Sequence, residues 1–305
     1  SMSSEKRRVG KPTPSAAEKR KRPRSSLARR NWEKFLSNRL AIVGGVVLLA
    51  LILACVAAPL LTPYDPVTAN AAQRLQSPSA AHPLGTDNLG IDLLARLLYG
   101  GRWSIFIGLA SAVGASLLGV AAGCLSGYYG GLLDQALLYV SELFSVFPQT
   151  LLILICVGIS GRSVVNMILI FIFTGWCGVH RIVRSRILSL KQEPFVESCR
   201  VNGVSGFSIM FRQLLPNTIG PVIVHTTLAS AGYILAEAGL SFLGMGVPDG
   251  IPTWGNIINA AKTLTKVLTY PHLWLAPGIA ISLFVLSINF FGDGLRDVFD
   301  PAQNG

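Results

Sequence analysis

Charged residues are scarce in this sequence. Only 13% of the 305 residues are Asp, Glu, Lys or Arg, whereas 51% are hydrophobic and the mean hydropathy is +0.52. A soluble domain typically carries about 25% charged residues. The composition therefore excludes an ordinary soluble protein and predicts an integral membrane protein.

Acidic residues are fewer than basic ones, 15 against 26, which gives a net charge of +11. A basic face would point to a nucleic-acid partner, but 13 of the 26 basic residues fall within residues 1–39. The charge belongs to a tail and to loops, so no nucleic-acid partner is predicted. The tail, residues 1–30, has almost nothing to bury and is predicted to be a disordered cytoplasmic segment.

Several kinds of chemistry lack their usual patterns. The five cysteines have no CxxC spacing and no nearby histidine, so free thiols and no metal site are predicted. The phosphate loop GxxxxGK[ST] is absent, so the chain itself is not expected to bind ATP or another cofactor. No paired carboxylates, Ser/His pair or metal cluster converges on one side of a membrane, so no catalytic residue and no enzyme activity are predicted.

Long apolar runs dominate what remains of the sequence. A spanning helix needs about 20 apolar residues. Runs of that kind lie at roughly 40–61, 104–126, 137–158, 164–182, 219–243 and 272–292. The fold predicted is therefore an all-α integral membrane protein with six transmembrane helices. No convincing repeat relates the first three spans to the last three, which disfavours the alternative of a secondary transporter or channel.

The distribution of Lys and Arg sets the predicted orientation, because cytoplasmic segments retain positive charge. With the N-terminus inside, the inner segments hold 20 of these residues and the outer segments six. Both termini are therefore predicted to be cytoplasmic. Residues 31–39 place Trp32, Phe35 and Leu36 at helical spacing among basic residues, which favours an amphipathic helix on the inner leaflet. A solvated basic stretch is the alternative.

Two features of the spans concern helix packing. In the second span small residues recur every fourth position and predict a seam of close helix contact; they are Ser111, Ala115, Gly119, Gly123 and Gly127. Pro148 lies mid-way along the third span and predicts a kink, because proline removes a helical hydrogen bond. The kink is either a hinge for gating or one of the tolerated kinks common in membranes.

Five polar residues lie at membrane depth, where a charge facing lipid is costly. Glu142, His180 and Asp293 fall near the inner ends of their spans, where interfacial anchoring explains them as well as a transport role does. His225 and Glu237 lie deeper, in the fifth span. We predict that these two line a polar pathway, and we keep a structural role as the alternative.

The segment 183–218 between the fourth and fifth spans carries the most informative motif. Glu197, Ser198 and Cys199 are followed by Gly203, and then by the pair Leu215-Pro216. This spacing resembles the EAA loop of ABC importer permeases, E-A-A-x3-G-x9-I-x-L-P. The two alanines are replaced here by small residues, and Gln213 occupies the isoleucine position.

The resemblance implies a coupling helix in this segment, seated in a groove of a cytoplasmic ATPase subunit. Gly203 would permit a tight turn out of the first helix, and Pro216 suits the first turn of the next. An ordinary amphipathic loop is the alternative.

Further motifs extend the resemblance over residues 30–301. They are His82-Pro83-Leu84-Gly85-Thr86-Asp87 with its continuation to Arg102, Gly127-Tyr128-Tyr129-Gly130-Gly131, Glu237-Ala238-Gly239-Leu240-Ser241, Pro252-Thr253-Trp254-Gly255 and the run 292–301. They are similar to inner-membrane permease subunits of the dipeptide and oligopeptide importers, C type. Ile91 and Ala95 depart from that signature, which has arginine and serine there.

This resemblance implies a type I ABC importer permease architecture, spanning residues 40–301, in a bacterial inner membrane. The implied partners are a homologous permease subunit, two cytoplasmic ATPase subunits that bind the ATP, an extracytoplasmic substrate-binding protein and the lipid bilayer. Peptides are the substrate expected. Nickel chelates and glutathione stay open, because importers of both share these signatures.

Two outer segments, 62–103 and 244–271, complete the predicted organisation. In the first, we expect a short helix capped by Asp87, with an Asp92–Arg96 ion pair at i, i+4. In the second, Trp254 precedes an expected helix around 255–266, and the segment is predicted to act as a gate or as a docking surface for a binding protein.

Overall fold

The chain is seen here as a computed structural model that describes residues 33–299. The predicted disordered tail, residues 1–30, lies outside the described residues. The helices of six or more residues with fully described bounds are numbered in chain order. They are α1 Arg39–Val56, α2 Leu93–Tyr129, α3 Gly131–Val146, α4 Gln149–Ser160, α5 Val164–Leu190, α6 Pro194–Val201, α7 Ile219–Phe242, α8 Trp254–Ala260, α9 Leu264–Thr269 and α10 His272–Phe299.

The prediction of an all-α membrane protein is confirmed. Five of the helices (α1, α2, α5, α7 and α10) are each long and apolar enough to cross a bilayer. The remaining span is divided into α3 and α4, which meet at an angle of 93°. Counting this bent pair as one span gives six. The expected kink at Pro148 is therefore a complete break: Phe147 is extended, Pro148 is non-helical with ψ 119°, and α4 begins at Gln149.

The second span begins much earlier than predicted. The outer helix expected within 84–102 and the span 104–126 form one helix, α2, of 37 residues. Its N-cap is Asp92, whose carboxylate accepts from the Ala95 backbone N–H at 2.7 Å; the expected cap at Asp87 is wrong. Arg96 pairs with Asp87 and not with Asp92. Asp92 instead meets the His82 ring at 2.8 Å, because the chain before α2 folds back over the helix start.

Other helix boundaries also differ from the predicted ones. Helix α5 extends to Leu190 and α10 to Phe299, so both continue beyond the apolar runs that revealed them. The single helix expected around 255–266 is two short helices, α8 and α9. Thr253 caps α8 by accepting from the Asn256 backbone N–H. Residues 261–263 are not helical and separate α8 from α9.

The predicted seam of small residues on α2 packs against α5. A Cβ atom added at Gly119 would lie 2.6 Å from the Trp176 carbonyl oxygen, and one at Gly123 would lie 2.7 Å from the Val183 Cβ. Ser111 and Ala115 are buried on the same face. The glycines therefore bring two backbones together at a distance that side chains would prevent.

The chain before α1 contacts the last helix. Residues 33–37 are helical, and the Phe35 ring packs edge-on against Phe291 of α10 with 5.6 Å between centroids. Asn38 caps α1 and also donates to the Asp297 carboxylate at 3.1 Å. The described part of the expected interfacial helix, 31–39, thus packs on α10 as well as carrying exposed residues such as Leu36.

Candidate functional site: the α6 surface and two cavities

Helix α6 lies between α5 and α7 and presents two different faces. Val196 is completely buried, in a cluster with Ile187, Ile209 and Leu214. Glu197 has a side chain that is 73% exposed, and its carboxylate lies 3.9 Å from the Arg200 guanidinium. The helix is therefore fixed to the bundle on one side and open on the other.

Sharp backbone features end α6 and lead to α7. Gly203 has φ +73°, in the left-handed region that favours glycine, and the Val204 N–H bonds back to the Cys199 carbonyl oxygen at 3.0 Å. The following residues form one turn of α-helix, a π-helical stretch at Met210–Leu214 and a 3-10 turn that contains Pro216. The π-helical stretch contains Gln213, which occupies the isoleucine position of the motif.

The open side of this region is apolar as well as charged. Val201 is 80% exposed and Phe207 is 64% exposed, and the Phe207 ring contacts that of Phe211 at 4.5 Å. We call the exposed side chains of this region the α6 surface; they are Phe195, Glu197, Ser198, Arg200, Val201, Val204, Phe207 and Phe211. Of the other predicted coupling residues, Pro216 is exposed, whereas Cys199 and Leu215 are half-buried against the cluster around Val196.

Two cavities open beside α7. The first, the α6-side cavity, has a volume of about 660 Å³ and lies at the end of the bundle that carries α6. Its polar lining comes from Arg181, Ser185 and Arg186 of α5, His225 of α7 and Arg296 of α10. The second, the central cavity, has a volume of about 560 Å³ and lies between α3, α4, α5 and α7. Both volumes are within the range of small-molecule sites, roughly 300–1,000 Å³.

The break in the third span opens onto the central cavity. Phe147 and Gln149, on either side of Pro148, both line it, together with Thr150 and Tyr233. Pro148 caps the start of α4 through its carbonyl oxygen, which accepts from the Leu151 N–H at 2.9 Å. The break therefore places the polar side chains of Gln149 and Thr150 in the lining of this cavity.

His225 lines both cavities. Its ring lies against Gly178 of α5, where an added Cβ atom would be 3.0 Å from the imidazole. Arg181, one helical turn further along α5, also lines both cavities. The two residues therefore mark the junction between the cavities.

Glu237 and Trp254 lie apart from both cavities. Glu237 is completely buried, and its Oε1 accepts from the hydroxyls of Ser241 at 2.7 Å and Thr253 at 2.8 Å. Trp254 is 1% exposed, with its indole N–H donated to the Leu97 carbonyl oxygen at 2.9 Å. Neither residue lines either of these two cavities, because the segment that carries Trp254 folds over the end of α7 and covers the carboxylate.

The three polar residues predicted near the inner ends of their spans differ in exposure. Glu142 and Asp293 are exposed, whereas His180 is completely buried beside Trp176 of the same helix, with 5.4 Å between ring centroids. Among residues 33–299, no group of three or more His, Cys, Asp or Glu side chains has the geometry of a metal site.

Two family models match the sequence. Residues 119–305 match "Binding-protein-dependent transport system inner membrane component", and residues 26–78 match "N-terminal TM domain of oligopeptide transport permease C". The chain belongs to the family of binding-protein-dependent inner membrane permeases. The resemblance inferred from the sequence motifs is confirmed, and with it the location in a bacterial inner membrane.

Three relatives illustrate the range of the family. The dipeptide transport system permease protein DppC of Alkalihalophilus pseudofirmus is 36% identical over 90% of this chain and 89% of its own length. The oligopeptide transport system permease protein OppC of Bacillus subtilis is 34% identical over 93% of each chain. The glutathione transport system permease protein GsiD of Pectobacterium atrosepticum is 35% identical over 88% of this chain and 89% of its own length.

The permease also contains a polar clamp that sequence reasoning missed. Arg184 of α5 donates two hydrogen bonds to the Asp134 carboxylate of α3, at 2.6 and 2.7 Å, and the Ser126 hydroxyl of α2 donates to the same carboxylate. Nearby, the Lys191 ammonium donates to the Tyr128 carbonyl oxygen at 2.6 Å. The sequence signal for this clamp is the basic run at the end of α5, which also indicates the orientation.

Proposed function

We propose that this permease forms half of the translocation pathway of an ATP-driven peptide importer, and that α6 is the helix that an ATPase subunit grips. One observation carries the second part: α6 combines a buried Val196 with a largely exposed Glu197. A helix that is fixed on one side and open on the other suits docking into a groove. The apolar members of the α6 surface, such as Val201 and Phe207, supply area that a partner would bury.

Force on α6 would reach the membrane helices by a short path. Val196 packs with Ile187 near the end of α5, and Lys191 ties the same end to α2 through the Tyr128 carbonyl oxygen. Helix α5 in turn packs along α2 through the glycine seam. Movement of α6 by an ATPase would therefore move α5 as a unit, and α5 lines both cavities.

The central cavity and the α6-side cavity are the proposed pathway through this subunit. Both are lined by α5 and α7, and the central cavity also receives the α3–α4 break. A homologous subunit would complete the pathway, and a substrate-binding protein would deliver the substrate at the opposite end. Peptides are the proposed substrate, because relatives named as dipeptide and oligopeptide permeases align over about nine-tenths of the chain. Glutathione, itself a peptide, is the second candidate, on the strength of the relative named for it.

The α6 assignment is tested by charge reversal in the assembled importer. We expect Glu197→Lys to leave the amount of permease in the membrane unchanged, to reduce the ATPase subunit that copurifies with it, and to abolish uptake. Asp65→Lys is the control: it makes the same change in charge at an exposed position of the segment before α2. Normal uptake and normal copurification in Glu197→Lys would contradict the docking role of α6.

The turn after α6 gives an independent test. Gly203 has φ +73° and open space around it, so a substitution there acts through the backbone and not through a clash. Asparagine adopts this conformation more readily than valine. We therefore expect Gly203→Asn to retain most uptake and Gly203→Val to lose it. Equal activity of the two variants would show that the orientation of α6 does not depend on this turn.

A further inference from the structure

The junction between the two cavities carries positive charge without matching carboxylates. Arg181, Arg186 and Arg296 line the α6-side cavity, and its lining contains no Asp or Glu. None of these arginines forms an ion pair with a carboxylate within residues 33–299, whereas Arg184 of the same helix is paired with Asp134. An anionic ligand would supply the negative charge that no carboxylate of the described residues provides to these arginines.

Arg181 has unused hydrogen-bonding capacity at this junction. Its Nη1 donates to the Ser145 hydroxyl of α3 at 3.0 Å, and this is its one side-chain hydrogen bond to the described part of the chain. A guanidinium has five N–H donors, arranged to bind a carboxylate through two parallel hydrogen bonds. The Ser145 contact ties the arginine to α3 in the lining of the central cavity and leaves enough donors for such a pair.

His225 reinforces the same position. Gly178 of α5, one turn before Arg181, leaves room for the imidazole of His225 on α7. The histidine therefore adds a second polar group to the part of the lining that contains the guanidinium. Uncharged side chains such as Gln149, Thr150 and Tyr233 line the remainder of the central cavity and suit a peptide backbone.

We propose that Arg181, with His225, binds the C-terminal carboxylate of the peptide as it passes from the central cavity to the α6-side cavity. This inference rests on the proposed function and adds to it the part of the substrate that is recognised. A site of this kind must bind weakly enough to release its ligand. Arg186 and Arg296, further along the α6-side cavity, provide the next positive charges on the way out.

An arginine near the end of a spanning helix often reaches for lipid headgroups instead. Arg181 is exposed, but it differs from that pattern because its guanidinium is hydrogen-bonded to a serine of a neighbouring helix and lines both open cavities. Arg39, at the start of α1, is exposed like Arg181 but lines neither cavity. It is therefore the matched control for loss of one arginine at a helix end.

The experiment uses the complete importer in proteoliposomes and short alanine peptides of two to five residues. Each peptide is supplied with a free C-terminal carboxylate and as the carboxamide, at concentrations that load the binding protein equally. We expect Arg181→Gln to reduce uptake of the carboxylate peptides by at least about tenfold, the loss typical of one charge-assisted hydrogen-bonded contact. Uptake of the carboxamides should be unchanged. Arg181→Lys should restore part of the carboxylate uptake, and Arg39→Gln should match the wild type.

Three results would count against the site. Equal losses of uptake for the carboxylate and carboxamide peptides in Arg181→Gln would mean that the arginine is structural. The same equal losses in Ser145→Ala, which releases the arginine from α3, would mean the same. Unchanged uptake in Arg181→Gln would place the carboxylate elsewhere. If the wild type takes up neither form of any peptide and its ATPase does not respond to the binding protein incubated with them, the peptide substrate itself is wrong, and this site falls with it.

Discussion

Glu237 of α7 and Thr253, the N-cap of α8, form a buried hydrogen bond between two helices that follow each other in the chain. The Thr253 hydroxyl donates to the Glu237 carboxylate at 2.8 Å, and both residues are completely buried. Thr253 also caps α8 by accepting from the Asn256 N–H. The contact therefore fixes the segment after α7 onto the end of α7 itself.

The first prediction concerns this contact. Glu237→Leu leaves the buried Ser241 and Thr253 hydroxyls without their acceptor, at a cost of about 1–3 kcal/mol for each unsatisfied group. We expect a clearly lower unfolding temperature in detergent for Glu237→Leu, and a nearly normal one for Glu237→Gln, which keeps an acceptor oxygen. In a double-mutant cycle, Thr253→Val should cost less in the Glu237→Leu background than alone. Additive losses would mean that the two residues act independently.

The second prediction concerns the seam between α2 and α5. Gly123→Ala places a Cβ atom 2.7 Å from the Val183 Cβ and 2.9 Å from the His180 carbonyl oxygen, so the helices must separate. We expect a loss of about 1–3 kcal/mol, typical of an overpacked core. Gly239→Ala in α7 is the control, because open space surrounds that position. Thermal unfolding in detergent should separate the two variants, and equal stability would contradict close contact at the seam.

The third prediction concerns the buried ion pair between Asp87, which precedes α2, and Arg96 of α2. Asp87 pairs with Arg96, with both side chains at least nine-tenths buried, and its other oxygen accepts from the Leu89 and Ile91 N–H groups. Asp87→Ala strands a buried guanidinium, a change that typically costs about 3–5 kcal/mol. For comparison, Arg96→Met removes the stranded charge, so the double variant should be more stable than Asp87→Ala alone. A double variant no better than Asp87→Ala would show that the backbone contacts matter more than the ion pair.

The fourth prediction concerns orientation. The distribution of Lys and Arg predicts that both termini are cytoplasmic and that the segment before α2 is external. A reporter fused after Gly305, or inserted at 202–204 beyond α6, should report the cytoplasm. One inserted at Ser77–Ser79, where the chain is exposed, should report the outside. The reverse result at either place would invalidate the six-span arrangement.

The fifth prediction concerns access to the cavities. In a variant without native cysteines, a cysteine at 225 should react with a small thiol reagent, because His225 lines both cavities. A cysteine at 237 should react slowly or not at all, since Glu237 is covered by the segment that carries Thr253. We expect nucleotide to change the labelling rate at 225. Labelling at 237 that is as fast as at 225 would restore Glu237 to the pathway.

Some features of this permease follow from sequence alone because each depends on residues that are close along the chain. Composition and apolar run length identify the spans, since a bilayer demands a fixed length of apolar helix. The recurrence of small residues on α2 marks a close-contact face, because helical periodicity places those positions on one side. The spacing from Glu197 to Gly203 likewise describes one short helix and the turn that ends it.

Other features were decided by contacts between distant segments. Proline predicts an interruption, but the 93° angle between α3 and α4 depends on what those helices pack against. Arg96 has two aspartates within reach along the sequence, and the folded-back chain before α2 selected Asp87 while Asp92 became the cap. Glu237 is covered and Arg181 lines the cavities because of which neighbouring helix each side chain meets. Hydropathy and periodicity describe one helix at a time, so only the assembled bundle determines these partners.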